Sequence, residues 1–164
     1  MTDVKLSKAA RRASTRGHPH LAFLLGRARR LIDDEVTRRI NAAGFTDLRT
    51  GHSAVFAFLP LEGARLTELA SRARMTKQAM GEVVRELEGL GYVERAEDPD
   101  DRRAKVIRFT EAGRRADEVG ILAVRDVERE WAAQIGADRI RALRSTLTTV
   151  VAAVDKRDRA ATTG

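Results

Sequence analysis

The sequence lacks cysteine altogether and has few aromatic residues, only 4% of its 164 positions. Without cysteine the chain has no disulfide bond, no thiol nucleophile and no cysteine-ligated zinc, which is typical of a protein from a reducing compartment. The same absence excludes a switch that works by thiol oxidation. So few aromatic side chains also argue against a surface on which rows of bases stack.

Long apolar runs are missing as well. The stretch from Ala54 to Leu61 contains Pro60 and is far shorter than the roughly 20 residues that span a bilayer. The basic first twenty residues are not followed by an apolar segment of signal-peptide length. We therefore expect a soluble, cytoplasmic protein without a membrane partner.

What the sequence does contain is a sizeable apolar fraction and an excess of positive charge. Hydrophobic residues make up 43%, enough for a folded core. The 31 Lys and Arg exceed the 24 Asp and Glu, which gives a net charge of +7. This balance favours a nucleic acid partner first and an anionic membrane surface second. Residues 1–17 hold five basic residues and one acidic residue, and this basic arm, expected to be disordered, either lies along phosphates or is a solvated tail.

The hydrophobic pattern predicts a mainly α fold with a small β-wing. Expected helices cover about residues 18–43, 53–59, 65–72, 76–90, 111–135 and 140–154, and two strands at 92–96 and 104–109 flank a turn at 98–101. We divide the chain into a basic arm (1–17), an N-terminal dimerisation helix (18–50), a winged helix-turn-helix domain (51–110), C-terminal dimerisation helices (111–156) and a polar tail (157–164) that is expected to fray.

The second helix of this helix-turn-helix is the candidate DNA-reading element. A helix fits the major groove, and its N-terminal residues reach base edges. Lys77 can meet a phosphate or a guanine edge and Gln78 an adenine edge, while Thr76 caps the helix and, with the free amides, suits a phosphate. The positions expected to face DNA are Thr76, Lys77, Gln78, Gly81, Glu82 and Arg85.

The hairpin after that helix is the candidate wing. Arg102 and Arg103 lie at its tip, where an arginine can enter a narrow minor groove. Asp98 or Asp101 can hold such an arginine in place and cap the turn. The alternative is a surface cluster of salt bridges with no partner.

Four segments, in this order, resemble the MarR family of bacterial transcriptional regulators: LTELA (66–70), MTKQA (75–79), LEGLGYVER (87–95) and DPDDRRAK (98–105). The resemblance is strongest over residues 53–115. It implies a homodimeric winged-helix regulator with its recognition helix at 76–88, a wing that includes Lys105, and Arg102 or Arg103 as the wing arginine. It also implies binding to a palindromic operator and release by a small phenolic or other anionic effector.

Two residues depart from the family pattern. Glu82 and Gly81 stand where members often have a basic or hydroxylated residue. Glu82 either selects a cytosine amino group or points at solvent. Gly81 lowers helix stability by about 1 kcal/mol relative to alanine. It either permits close approach of the backbone to DNA or is a sequence change without a functional role.

The end helices argue for a dimer independently of the resemblance. The apolar stripes from Leu21 to Ile40 and from Ile140 to Val154 would remain in water unless a second copy covers them. Two-fold symmetry would then present two reading helices to major grooves about 34–36 Å apart. The alternative is that these stripes pack only within one chain. Trp131 is expected to be a packing anchor in this dimer region.

The resemblance also implies a ligand pocket between the dimer helices and the winged domain, for which the candidate residues are Arg29, His52, Phe56 and Phe58. His18 and His20 are two residues apart and do not share a helical face, so with His52 they do not predict a metal site. No cofactor is expected.

We therefore predict a sequence-specific transcriptional regulator, a repressor released by a ligand. One alternative is a basic nucleoid-type protein with little sequence specificity. Another is an interaction module without DNA affinity, since fold alone does not fix function. An enzyme is disfavoured because the sequence shows no nucleophile–base pair and no phosphate-cradling glycine loop.

Overall fold

The structure is a computed structural model that describes residues 19–98, 101 and 104–162, the last six by their backbone alone. Within these residues, six α-helices and three short strands form the fold. The helices are α1 (Leu21–Ala42), α2 (Ser53–Phe58), α3 (Leu66–Arg72), α4 (Lys77–Gly89), α5 (Glu111–Ile135) and α6 (Ala137–Thr162), with a 3₁₀ turn at Thr50–His52. The strands are β1 (Ala64–Arg65), β2 (Val93–Glu97) and β3 (Lys105–Phe109). The predicted basic arm lies outside the described residues.

The predicted fold class, mainly helical with a small β-wing, is confirmed. The sheet is larger than predicted, because β1 joins β3 antiparallel, with Ala64 opposite Ile107, in the order β1-β3-β2. A two-residue strand is too short to show the alternation that marks strands in sequence. At the other end, α6 continues to Thr162, past the expected tail boundary at residue 157.

Helix α1 begins later than predicted. Its N-cap is His20, whose backbone is extended, so Pro19 precedes the helix and is not part of its first turn. The start of α4 follows the predicted capping chemistry, and α5 begins in the same way. The Thr76 hydroxyl accepts the Ala79 N–H at 3.1 Å at the start of α4, and the Thr110 hydroxyl accepts the Gly113 N–H at 3.0 Å at the start of α5.

The core of the winged domain forms around one face of α4. Met80, Val84 and Leu87 are fully buried on that face, against Leu69 of α3 and Val55 of α2. The buried stripe ends at Leu87, because Leu90 follows the last helical residue and is 36% exposed. The opposite face of α4 is consequently directed away from the core.

A tight junction joins the winged domain to the long helices. A Cβ atom at Gly113, in the first turn of α5, would lie 1.9 Å from the carbonyl oxygen of Tyr92. The Tyr92 hydroxyl donates to Asp47 at 2.6 Å, and burial together with this carboxylate raises the pKa of Tyr92 to about 12. The start of α5 is therefore held directly against the chain that leaves α4.

The long helices pack as a layer beside the winged domain. Arg39 of α1 donates to Glu130 of α5 at 2.7 Å and to Glu35 of its own helix at 2.7 Å. Hydrogen bonds from Arg38 and Arg39 lower the pKa of Glu35 to about 2. None of the described helices combines the length and apolar character that a membrane span requires.

Replacing Gly113 by alanine tests the junction. The new methyl group must displace the Tyr92 carbonyl, so we expect Gly113→Ala to lower the free energy of unfolding by about 1–3 kcal/mol, measured by urea denaturation. Gly89→Ala is the matched control, because nothing lies within 4 Å of a Cβ there. A Gly113→Ala protein as stable as Gly89→Ala would contradict the described packing.

Candidate nucleic-acid interface and effector cavity

The candidate DNA-reading residues share the outer face of α4. Lys77, Gln78, Glu82 and Arg85 are exposed and Gly81 is partly exposed, at spacings of one and four residues that place them on one side of a helix. The exposed cap residue Thr76 adjoins them. We call these six residues the outer face of α4.

The polar groups of this face differ in what they already bind. The Gln78 amide donates to Glu82 at 3.3 Å, and the Arg85 guanidinium donates to the Gly81 carbonyl at 3.2 Å. Lys77 forms no hydrogen bond or ion pair with any residue that the structure describes. As far as the described residues show, the Lys77 ammonium group at the start of α4 therefore does not have to break an existing contact to bind a partner.

Gly81 is not required by packing within the chain. A Cβ atom there would meet Leu66 at 3.6 Å, an ordinary van der Waals contact. Because alanine would also favour the helix by about 1 kcal/mol, the glycine has no structural advantage inside this chain.

The base of the wing is fixed by an ion pair that the sequence did not predict in this form. Asp98 is buried and accepts from Arg65 Nε at 2.7 Å, while Arg65 Nη2 lies 3.9 Å from Asp101. Asp98 is therefore part of the packing at the base of the wing, and its assignment to the DNA-binding wing stays a prediction. Asp98 does hold an arginine, and among the described residues this arginine is Arg65 of β1.

The rest of the wing is described only in part. Lys105 is exposed and its ammonium group lies 3.6 Å from Glu97 on the facing strand. Asp101 is exposed as well, and its N–H donates to the Asp98 carbonyl at 3.3 Å. The predicted tip residues Arg102 and Arg103 lie outside the described residues.

A cavity of about 330 Å³ lies between α1, the 3₁₀ turn, α2 and α5. The predicted pocket residues Arg29, His52 and Phe56 line it. Phe58 does not, and its side chain is 41% exposed, because two residues along a helix point about 200° apart. The other lining residues are Ile32, Asp33, Val36, Thr37, Ile40, Leu48, Arg49, Ser53, Ala57, Ala116, Asp117, Gly120, Ile121 and Val124.

Both arginines of the cavity wall are already paired. Arg29 Nε contacts both carboxylate oxygens of Asp33 at 2.7 Å, and Arg49 donates to Glu86 of α4 at 2.6 Å. Asp117 has no hydrogen-bond or ionic partner among the described residues. Burial, and then the charge of Glu118, raise the pKa of the Asp117 carboxyl. Asp117 is therefore an acidic group in a mostly apolar wall that is not bound by any other described residue.

A second, more open groove runs between α1, α5 and α6. Trp131, the predicted packing anchor, lies half-buried in its wall, and an ion pair between Glu128 and Arg144 adjoins it. Its apolar lining is Ile32, Trp131, Ile140, Leu143, Leu147, Val151 and Ala152. On the same helices Leu21 is 68% exposed and Val151 is 58% exposed in the single chain.

The two histidines that the structure describes lie in different environments. His20 is exposed and His52 is buried beside Glu86, while His18 lies outside the described residues. Among the residues described, no group of three His, Asp or Glu side chains is placed to hold a metal ion.

Comparison with known proteins identifies the winged domain. A sequence model of the MarR family matches residues 46–104, from the loop before the 3₁₀ turn to the wing. Residues 46–104 are therefore similar to the MarR family. A search of curated proteins found no match to the chain.

Solved structures extend the likeness to the long helices. A MarR-family transcriptional regulator from Rhodococcus sp. RHA1 is similar with 26% identity and a TM-score of 0.64, over 79% of this chain and 91% of that one. CouR from Rhodococcus jostii RHA1, bound to p-coumaroyl-CoA, is similar with 27% identity and a TM-score of 0.63, over 79% of this chain and 90% of that one. The transcriptional repressor CouR bound to a 23-mer DNA duplex shares the fold, with 24% identity and a TM-score of 0.65, over 80% of this chain and 92% of that one.

Proposed function

We propose that this protein is a MarR-family regulator: a homodimeric, sequence-specific DNA-binding repressor that a small molecule releases from its operator. The observation that carries the proposal is the outer face of α4, which displays a Lys77 that pairs with none of the described residues, on a domain whose wing is anchored by Arg65 and Asp98. The similarity to CouR in its DNA-bound form supports it. The proposed compartment is the cytoplasm, where the chromosome is accessible.

In this proposal phosphate contacts supply affinity and the outer face supplies discrimination. The N-terminus of α4 offers free amides and Lys77 to a phosphate or a guanine edge, and Gln78 reads an adjacent base. The wing arginines Arg102 and Arg103 enter the flanking minor groove. A nucleoid-type binder would instead rely on overall charge, and its affinities for operator and random DNA would be nearly equal.

Removing the charge of Lys77 tests this reading. We expect Lys77→Ala to weaken binding to a duplex footprinted upstream of the protein's own reading frame. If Lys77 meets a phosphate, the slope of log K against log salt should fall by about 1. If it meets a base, the cost should be about 1–3 kcal/mol at one position of the site. Fluorescence anisotropy at several salt concentrations measures both.

Arg129→Ala is the matched control, since it removes one exposed positive charge from α5. Equal operator affinity of Lys77→Ala, Arg129→Ala and the unchanged protein would refute the proposed interface. Equal affinity of the unchanged protein for operator and random duplexes would favour the nucleoid-type alternative.

The proposed dimer buries the groove between α1, α5 and α6. Leucines and valines on α1 and α6 are about half exposed in the single chain, and contiguous apolar patches of this kind mark interaction surfaces. A second copy related by a two-fold axis would cover the same stripes on both chains.

A charge placed in the groove tests the dimer. Leu143 is 46% exposed in the single chain, so Leu143→Glu would be nearly neutral for a monomer but should dissociate a dimer that buries it. Sedimentation velocity at micromolar concentration should report the change in mass. Thr149→Glu, an exposed polar position of the same helix, should leave the mass unchanged. A monomeric unchanged protein would contradict the proposal.

The proposed effector is a small aromatic compound that carries a hydroxyl group, bound in the cavity of α1, α2 and α5. Paired arginines attract an anion less strongly than free ones, and the Asp117 carboxyl, which has no partner among the described residues, favours a ligand that donates a hydrogen bond. Of the two effector types that the family resemblance implies, phenolic and anionic, the cavity therefore favours the phenolic one.

Three matched probes test this chemistry: p-cresol, its methyl ether 4-methylanisole, and the anion p-toluate. We expect p-cresol to raise the melting temperature most, because binding to the native state stabilises it. Asp117→Leu should weaken p-cresol binding by about ten-fold, the loss of one charge-assisted hydrogen bond, whereas Glu118→Leu should not. Preferential binding of p-toluate would contradict the assignment to a phenol.

A further inference from the structure

The cavity and the DNA-reading helix are joined by a buried histidine. His52 ends the 3₁₀ turn, lines the cavity and is only 3% exposed. Its ring nitrogen Nδ1 accepts the backbone N–H of Arg49 at 3.2 Å, and its Nε2 lies 3.3 Å from a carboxylate oxygen of Glu86 on α4. One side chain thus contacts the cavity wall, its own turn and the reading helix.

The hydrogen bond from Arg49 defines which ring nitrogen of His52 carries the proton. Because Nδ1 accepts a backbone N–H, the hydrogen of a neutral ring lies on Nε2, which is 3.3 Å from the Glu86 carboxylate. The ring is consequently held by its own backbone turn on one side and faces the Glu86 carboxylate of α4 on the other. A rotation of the ring breaks the hydrogen bond from Arg49 and leaves a buried polar group unpaired, which is costly.

A second group from the cavity wall holds the same carboxylate. Arg49 Nη2 donates to the other oxygen of Glu86 at 2.6 Å. Both oxygens of Glu86 are therefore contacted by residues that line the cavity. Glu86 is an exposed residue of α4, and its carboxylate reaches the 3₁₀ turn, so a change in these contacts acts on the same rigid helix that carries the outer face.

We propose that Glu86 is the positioning residue through which the cavity sets the orientation of α4. An occupant that contacts His52 and Arg49 competes with Glu86 for their N–H groups, and the helix then relaxes to a position less suited to the operator. A ligand shifts an equilibrium only through contacts that differ between two states, and the bonds to Glu86 are such contacts. This inference rests on the proposed function, since it needs both an operator and an effector cavity.

The neighbouring acid on α4 provides a matched comparison. Glu88 lies two residues further on and pairs with Arg95 of β2 at 3.1 Å, away from the cavity. Glu86→Gln and Glu88→Gln remove the same charge from the same helix, but only the first weakens the link to the cavity. Arg49→Met removes the link from the other side at a residue whose side chain is 73% exposed, so it should not threaten folding.

Because the effector is unidentified, a substitution that fills the cavity is used to imitate a bound ligand. Ala57→Phe adds a ring to the cavity wall, and Val124→Phe does so from the opposite side. Each filling variant is combined with Glu86→Gln, Arg49→Met or Glu88→Gln in the full-length chain. Operator affinity is then measured for every single and double variant, and a melting curve verifies that each is folded.

In the unchanged background we expect a filling substitution to weaken operator binding by a factor within the roughly 5–150-fold range of allosteric coupling. The same factor should persist with Glu88→Gln and fall below about two-fold with Glu86→Gln and with Arg49→Met. Equal weakening in all backgrounds would overturn the role of Glu86. Filling variants that bind the operator as well as the unchanged protein would also overturn it, whereas an unchanged protein that binds no operator would refute the proposed function itself.

Discussion

The burial of one face of α4 is the constraint on which the rest of the winged domain depends. Met80, Val84 and Leu87 are fully buried, and each such side chain contributes about 1.5–3 kcal/mol when removed from water. Turning the helix would expose them and bury Lys77, so its rotation about its own axis is fixed by the core. The outer face is therefore displayed by hydrophobic packing, and the capping hydroxyl of Thr76 only determines where the helix starts.

The distribution of charge matters more than the net value of +7. Many guanidinium groups are already paired with acids, such as Arg29 with Asp33, Arg39 with Glu35 and Arg49 with Glu86. Exposed pairs of this kind are worth at most about 1 kcal/mol each, but they reduce the positive potential of the surfaces on which they lie. No described acid pairs with Lys77, so its positive charge is not reduced in this way. The local geometry therefore favours one defined contact with a polyanion over binding by a uniformly basic surface.

The sequence was sufficient for those features that depend on local signals. The long helices, the caps at Thr76 and Thr110 and the display of Lys77 follow from periodicity and side-chain chemistry within a few residues. The features that it missed depend on contacts between distant segments. Arg65 reaches Asp98 only because β1 pairs with β3, and Asp117 becomes a cavity residue only once α5 packs against α1. Phe58 was misplaced for the same reason, since the pattern of α2 does not say which of its faces the cavity adjoins.

Helix α1 lies between the proposed effector cavity and the proposed dimer surface. Ile32 lines both the cavity and the open groove, so one side chain separates the proposed effector site from the proposed dimer surface. A second copy seated in the groove would limit the movement of α1, and α1 forms one wall of the cavity that also contains His52. Coupling between binding sites is reciprocal, so the affinity of the cavity for its occupant would depend on the dimer as well as on DNA. The apolar stripes that are exposed in the single chain then have a role beyond bringing two reading helices together, because they would provide the fixed frame against which α4 can move.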